Sequence, residues 1–500
     1  FHEDPIRVAA RLAAVYRSLA DTGRLEEFDL FILSDSRRRD VVRAEQVMWA
    51  RLCAELGAAG RLFYRVRSDN EGRKAGNIAE FCRNWGDGYR YFIVLDADSV
   101  MTGATLVHLV ELMEANPSAG LIQTVPQPVG GRTLFARIQQ FAARLYGPLC
   151  GTGTAYWYLD HSNYWGHNAI VRTAAFMSSA GLPRLPGSPP LGGEIMSHDF
   201  VEAALLRRAG WSVWLVPELG GSYEELPPTI SDYAKRDRRW CLGNLQHVRL
   251  LAAKGLSPIS RLHLAAGAFS YLASPMWLLL LLLTTFEALR AVYLEDPSDR
   301  SLFPAWPFAE HVDLLGLFCV AMAMLLLPKL LALGLALGNP VRRAAFGGAG
   351  AMIKSTLAEM VFAVLLAPIL MLKQTAAVAG ILLGGCVSWG GQARDGSAES
   401  WRSLLRSYGA PTLIGGCWAL LTWLLTPSLL PWLAPVLLGL VLAIPLALLS
   451  GRADLGLAAG RRGWFLVPEE IEPPRELAWM GRHAPAAPAA TTAPSLVATG

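Results

Sequence analysis

The sequence predicts a doubly wound α/β domain followed by an α-helical membrane domain. Three observations carry that expectation. Short apolar runs ending in aspartates alternate with helical stretches in the first half. Beyond Leu262, long apolar runs separated by short polar loops take over. Charged residues make up only 17% of the 500 against 53% hydrophobic, a balance foreign to soluble proteins.

Residues 28–33 form an apolar run ending in Ser34-Asp35-Ser36, residues 91–95 form another ending in Asp96-Ala97-Asp98, and residues 120–124 repeat the pattern. Runs with so little alternation suit strands buried on both faces. Helical stretches over residues 5–19, 41–56, 75–84 and 105–115 lie between them, and that alternation gives a doubly wound sheet. Ligands of such sheets sit at the carboxyl ends of the strands, where Asp35, Asp96 and Asp98 fall.

Residues 264–286 hold no charged residue and are long enough to cross about 30 Å of hydrocarbon. Residues 312–337 form a second span broken only by Pro328-Lys329, and residues 411–425 and 433–449 form a helical pair around Pro427 and Pro431. Residues 357–384, with Glu359, Pro368 and Lys373, could cross once, cross twice with a break, or lie partly at the interface. The positive-inside rule narrows this. Arg342, Arg343 and Lys354 precede the ambiguous segment, Arg394, Arg402 and Arg406 follow it, and Arg452, Arg461 and Arg462 follow the last apolar run, whereas residues 287–313 are mainly acidic. Basic loops on both sides require an even number of crossings for residues 357–384, zero or two. The expected organisation is a cytosolic domain over residues 1–245, an interfacial linker over 246–262, a membrane domain of four or six crossings over 263–450, a cytosolic segment over 451–482 and a disordered Ala/Pro/Thr-rich tail over 483–500. Lys329 and Lys373 read either as snorkelling residues or as contacts along a polar path.

The net charge of +4 comes without a block of like charges, so no nucleic acid is expected as a partner. The seven scattered cysteines include no Cys-x-x-Cys pair and indicate neither zinc nor a disulfide framework. The chain opens on Phe1-His2-Glu3-Asp4-Pro5, without a signal peptide, and a preceding segment is expected.

Two aspartates spaced i, i+2 past a strand can offer oxygens to one Mg²⁺ or Mn²⁺, held by few carboxylates plus substrate phosphates, which would neutralise a departing diphosphate. Aspartates also end strands simply as turn formers, so the motif gains weight from its company. Lys74 lies between the strand-end carboxylates, after a basic loop of Arg65, Arg67 and Arg73 suited to phosphate. Asp199, before the helix over residues 200–208, is either an N-cap or a base for an acceptor hydroxyl. Lys235-Arg236-Asp237-Arg238-Arg239-Trp240 reads as a lipid-binding cluster, or as guanidinium groups for diphosphate and an indole for a sugar ring.

With this set assembled, the chain resembles the processive, inverting members of glycosyltransferase family 2, relatives of cellulose and hyaluronan synthases. Asp35 matches the nucleotide-binding aspartate, Asp96-Ala97-Asp98 the metal motif, Asp199 the base of the Thr-Glu-Asp motif, and Arg239-Trp240 the end of the Gln-x-x-Arg-Trp motif. Tyr164-Trp165-Gly166-His167-Asn168 looks like the acceptor-side loop and Gln123-Thr124 like the strand after the metal site. Ser197-His198 replaces Thr-Glu and Arg236 replaces Gln, so the acceptor hydrogen bonds can differ from those of cellulose synthase. These departures, with the stretch from Gly221 to Pro228, resemble the branch that makes osmoregulated periplasmic glucans in Gram-negative bacteria.

The resemblance implies a GT-A-type (Rossmann-like) catalytic domain and an inner-membrane enzyme that builds a linear β-1,2-glucan backbone from cytosolic UDP-glucose. It implies Asp199 as base and Asp35, Lys74, Asp96 and Arg239 on the nucleotide sugar. Trp240, Trp165, His167 and His198 would face the acceptor, and Asp96 and Asp98 a Mg²⁺ or Mn²⁺. It further implies acyl carrier protein as a partner, upstream membrane helices, and a first strand lost ahead of Phe1. A cellulose- or mannan-like synthase and a transferase acting on a lipid carrier remain alternatives, as does a transporter or signalling protein with a degenerate domain.

Overall fold

The structure is a computed structural model and describes residues 4–293, 314–385 and 399–483. Helix α1 (Pro5–Asp21) starts where Asp4 accepts a hydrogen bond from the Ile6 amide and Pro5 takes the first turn, the position where a missing N–H costs nothing. Strand β1 (Leu30–Ser34), α2 (Arg39–Leu56) and β2 (Leu62–Val66) follow as a β-α-β unit with β1 and β2 parallel. Helix α3 (Arg73–Trp85) leads to β3 (Tyr91–Val94), β4 (Val100–Met101), α4 (Gly103–Ala115), β5 (Ala119–Thr124) and β6 (Gln127–Val129). Three strands and four helices thus lie within a few residues of their expected places.

The long α5 (Leu134–Tyr158) carries the chain away, and β7 (Ala169–Arg172) returns antiparallel between β3 and β5. Helices α6 (Thr173–Ser179) and α7 (His198–Arg208) then lead to β8 (Ser212–Val216), parallel to β5. The four-stranded sheet β3-β7-β5-β8 is therefore mixed, where a doubly wound order was expected to be parallel. Strand β9 (Ser222–Glu225) joins β4 and β6 in a small second sheet. Helices cover both faces of the main sheet: Phe81, Phe176 and Leu206 share one core with Leu121 and Val171, and Leu19, Leu106 and Leu109 share the other with Ile122 and Ile170.

Strands β1 and β3 do not pair with each other. Between them runs a cavity of about 790 Å³ walled by residues of both strands, from Asp35, Lys74 and Asp96 at one end to Asp29, Arg90 and Glu114 at the other.

Helix α8 (Ile230–His247) lies at the base of this body and is followed by α9 (Pro258–Tyr293), α10 (Leu314–Gly338), the short α11 (Pro340–Ala345) and α12 (Ala349–Leu382). Then come α13 (Trp401–Leu425) and the pair α14 (Leu430–Val441) and α15 (Ala443–Ser450), bent by 54°. Among the described residues four helices are long and apolar enough to cross a membrane, or five with the bent pair as one span. The acidic stretch 294–313, Arg394 and the tail beyond residue 483 lie outside the described residues.

The ambiguous segment is one unbroken helix of 34 residues with Pro368 inside. At 1.5 Å per residue it has room for one crossing and not for two. It packs against α9 and α14 as well as against the soluble body. Met352 shares a core with Phe141 and Phe465, Ile369 with Phe135 and Ile230, and Ile381 with Cys241 and Leu245, while Gln374 donates to Asp237 Oδ2 at 2.9 Å. Both lysines of these apolar helices have internal partners. Lys329 pairs with Glu359 at 2.7 Å, which also accepts from Tyr146 at 2.7 Å, and Lys373 donates to the Ser407 carbonyl at 3.3 Å.

After α15 the chain returns to the soluble body through α16 (Ala453–Arg461), α17 (Pro468–Ile471) and α18 (Arg475–His483). Arg137 of α5 grips Glu470 with two hydrogen bonds of 2.6 and 2.8 Å, and Arg144 donates to Glu469 at 2.9 Å. On α1, Ser18 donates to Glu476 and the Arg17 guanidinium lies 4.2 Å from the Trp479 ring centre.

Candidate active site

The Asp96-Ala97-Asp98 turn leaves the end of β3 and is closed by the Ser99 amide donating to the Asp96 carbonyl at 3.0 Å. Buried Arg11 of α1 donates to the Ala97 carbonyl at 2.8 Å and to Glu225 at 2.6 Å, which pins the turn from behind. Lys74, at the start of α3, forms an ion pair with Asp96. Burial opposes ionisation of Asp96, but Lys74, His167 and His198 outweigh it and hold the carboxyl at about 2.

Asp35 lies just past β1 and is gripped by the buried Arg67 guanidinium, with Nη2 at 3.1 Å from Oδ2. Arg67 also donates to the Glu71 carbonyl at 2.9 Å and to Asn70 at 2.9 Å, and Arg65 is bound to Glu80 and Asn77. The basic loop expected to await phosphate is thus corrected: two of its three arginines are spent on orienting the loop, because a guanidinium this buried needs an acceptor. Asp35, Lys74 and Asp96 meet at the mouth of the cavity between β1 and β3.

The loop before β7 enters from the other side. Its Trp165 amide donates to Gln123 at 2.6 Å. Asn168, in the left-handed conformation at φ +52°, donates to Ser222 at 2.7 Å, and its carbonyl accepts from Thr124 Oγ1 at 2.9 Å. His167 stands 3.3 Å from Ser99 Oγ and 3.5 Å from Glu224. Burial raises the Glu224 carboxyl, with His167 pulling the other way and Asp98 and Asp96 adding to the rise. Glu224 was not singled out as a site residue from the sequence, although it sits in the stretch from Gly221 to Pro228 that carried part of the resemblance.

Ser197, and not Asp199, holds the N-cap position of α7. Asp199 therefore sits in the first helical turn, where the helix N-terminus favours a carboxylate, and its buried Oδ1 has no hydrogen-bond partner among the described residues. Gly166, at φ +90°, is beside it: a β-carbon there would stand 3.3 Å from Asp199 Oδ2 and 3.7 Å from Lys74 Nζ. His198 is buried and turned to Glu202 one turn on, 3.1 Å away. Burial would lower its pKa, but Glu202 and Asp199 prevail and raise it. The contact is one of charge: His198 Nδ1 is buried and makes no hydrogen bond of good geometry among the described residues.

Helix α8 abuts α7 so closely that a β-carbon on Gly243 would lie 2.1 Å from Ser197 Oγ. His247 Nε2 lies 2.9 Å from the Ser197 carbonyl. On the same helix the Arg236 guanidinium lies 4.6 Å from the Trp240 ring centre, while Trp240 and Trp165 are 46% and 37% exposed, open enough for a sugar ring to stack. Asp237 is spent on Tyr271 and Gln374.

For a divalent cation, Asp96 and Asp98 provide the hard oxygen donors that Mg²⁺ or Mn²⁺ takes. Among the described residues no three His, Cys, Asp or Glu side chains converge into a fuller cage. A donor set this short fits an ion completed by substrate phosphate oxygens.

Residues 91–337, from β3 to α10, match the family model described as glycosyl transferase family group 2. The chain is 48% identical over 479 residues to the glucans biosynthesis glucosyltransferase H of Xylella fastidiosa, covering 95% of this chain and 75% of that one. The protein of that name from Xanthomonas campestris is also 48% identical, with 95% and 74% covered. The one from Pseudomonas syringae pv. syringae is 47% identical over 487 residues, with 96% of this chain and 60% of that protein covered.

Proposed function

The chain belongs to the glucans biosynthesis glucosyltransferase H family of group 2 glycosyltransferases, and from that membership we propose that it polymerises glucose from UDP-glucose into the linear β-1,2-linked backbone of osmoregulated periplasmic glucans. The observation that carries the site assignment is the approach of Asp199 to the Lys74–Asp96 pair around Gly166. A base and a donor-side cation bordering one spot are what a direct displacement needs.

Asp35 contacts the uridine, and Lys74 and Arg239 lie along the diphosphate. Asp96 and Asp98 would hold a divalent cation, which would supply positive charge beside the leaving diphosphate. Trp240 and Trp165 stack on acceptor sugars, His167 orients the acceptor side, and Asp199 takes the proton of the attacking hydroxyl. The oxygen forms its bond to the anomeric carbon as the bond to UDP breaks on the opposite face. An α-linked donor thus becomes a β-linked product. His198 supports this indirectly, by fixing the first turn of α7 through Glu202.

In the same reading α9, α10, α13 and the bent pair α14–α15 cross the bacterial inner membrane, four crossings in all, with α12 lying along its cytoplasmic face. Residues after the last span dock on the body that precedes the first, which requires an even number of crossings. Both then face the cytoplasm, where UDP-glucose is available, and acyl carrier protein can reach them as a partner. The cavity between β1 and β3 suits a further extended apolar segment parallel to both.

The deciding experiment supplies membranes containing the protein with labelled UDP-glucose and Mg²⁺. A β-1,2-linked polymer is expected, and Asp199→Asn should abolish it while UDP binding persists. A chloroform-extractable product would favour the lipid-carrier reading, and a β-1,4 polymer a cellulose-like one.

A further inference from the structure

A second cavity, of about 610 Å³, opens where the soluble body meets the end of α10, and no step of glucosyl transfer uses it. Its floor includes Arg144 and Leu145 of α5, its side Ala332 and Leu335 of α10, and its rim Arg342 and Glu469. Leu331 and Leu335 are 51% and 58% exposed, so an apolar strip on the outside of α10 leads directly into it.

The charges at its rim are of both signs and are not consumed by each other. Glu469 is only 8% exposed as a side chain and gives Oε1 to Arg144 at 2.9 Å, but its buried Oε2 has no hydrogen-bond partner among the described residues. A buried carboxylate oxygen without a donor is costly, which marks the place for an N–H group from outside the chain. The Arg342 side chain, half-buried just past the end of α10, likewise makes no hydrogen bond or ion pair among the described residues.

We infer that this cavity holds the headgroup of a phospholipid carrying a primary ammonium, of the phosphatidylethanolamine class. The ammonium donates to Glu469 Oε2, the phosphate rests on Arg342, and an acyl chain follows Leu335 and Leu331 into the bilayer. An arginine suits the phosphate and a carboxylate the ammonium, and the site lies at the depth where headgroups meet a helix end. A purely anionic lipid would leave Glu469 facing negative charge, and a trimethylated amine would bring it no N–H. The inference rests on the reading of α10 as a membrane span.

The test reconstitutes the purified full-length protein in nanodiscs containing equal amounts of phosphatidylethanolamine, phosphatidylcholine and phosphatidylglycerol and measures retained lipid by native mass spectrometry. Phosphatidylethanolamine should be retained about tenfold over each of the others, the effect of one charge-assisted contact. Glu469→Gln keeps an acceptor for Arg144 and should erase that preference, and Arg342→Ala, at a half-exposed position, should weaken retention of all three lipids. Equal retention, a preference that survives Glu469→Gln, or preferential retention of phosphatidylglycerol overturns the inference. So does displacement of the lipid by soluble glycerophosphoethanolamine at matching concentration. Recovery of the protein from cells without detergent would instead sink the membrane reading beneath it.

Discussion

Asp199 and Gly166 meet with no room to spare: the place a β-carbon would take on Gly166 is 3.3 Å from Asp199 Oδ2, in a backbone conformation of φ +90°. Gly166→Ala should therefore do two separable things. Forcing an L side chain into this conformation costs about 1–2 kcal/mol, visible as a lower unfolding temperature. Displacing the carboxylate should lower kcat by about 100-fold, more than the stability loss explains. Unchanged kcat in a folded variant would remove Gly166 from the site.

Asp199→Asn tests the base directly. The variant keeps the shape and the helix start but cannot accept the proton, so polymer synthesis should fall by about 10²–10⁴-fold. UDP affinity, measured by calorimetry, should stay within a few-fold.

Lys74→Met addresses the pair with Asp96. The Asp96 carboxyl is held at about 2, below the ordinary value near 3.9. A depressed carboxylate contributes stability above its unfolded pKa and loses it as pH falls through the folded value. In the variant that contribution shrinks, so acid unfolding of the soluble body should begin at a higher pH, within the window from about 4 down to 2. Donor affinity should also drop by roughly tenfold; an unaltered UDP-glucose affinity would assign Lys74 a purely structural part.

The raised pKa of His198 has the opposite sign. A histidine favoured in its charged form contributes stability that is complete below the unfolded value near 6.5 and fades as pH rises through the folded value. Thermal stability should decline as pH rises above about 6.5, and His198→Gln should flatten that slope. An identical slope in both proteins would mean that another group sets it.

The placement of α12 can be read by labelling. Single cysteines placed at Lys354 and Leu383 should both react with an impermeant reagent from the cytoplasmic side and neither from the periplasmic side. Labelling of the Leu383 cysteine from the periplasmic side alone would make α12 a span and change the parity.

Much of the soluble half was legible because its signals are local. The run before Asp35 and the run before Asp96 are apolar enough to name β1 and β3, and the amphipathic stretches between them name α2 and α3. Strand β7 was not legible. It has only four residues, and its reversal depends on how the 25-residue α5 carries the chain round. The roles of Arg65 and Arg67 were hidden for a related reason: sequence shows the charge of a loop, but only the fold shows that Glu80 and Asp35 already answer it. Helix α12 resisted because it is apolar on the side that meets protein and on the side that meets lipid. Composition cannot tell those two neighbours apart, and the bond from Gln374 to Asp237 can.

The return of the chain from α15 to α1 and α5 makes the membrane helices, mechanically, a long insertion within one folded body. Its trailing end is riveted back onto that body by Arg137–Glu470 and Arg17–Trp479, while its leading end follows directly from α8. Tension on the apolar helices is therefore borne at two places on the catalytic body at once. Removing the segment beyond residue 462 would leave the catalytic aspartates of the site intact and yet turn a body anchored twice into one hanging from a single helix.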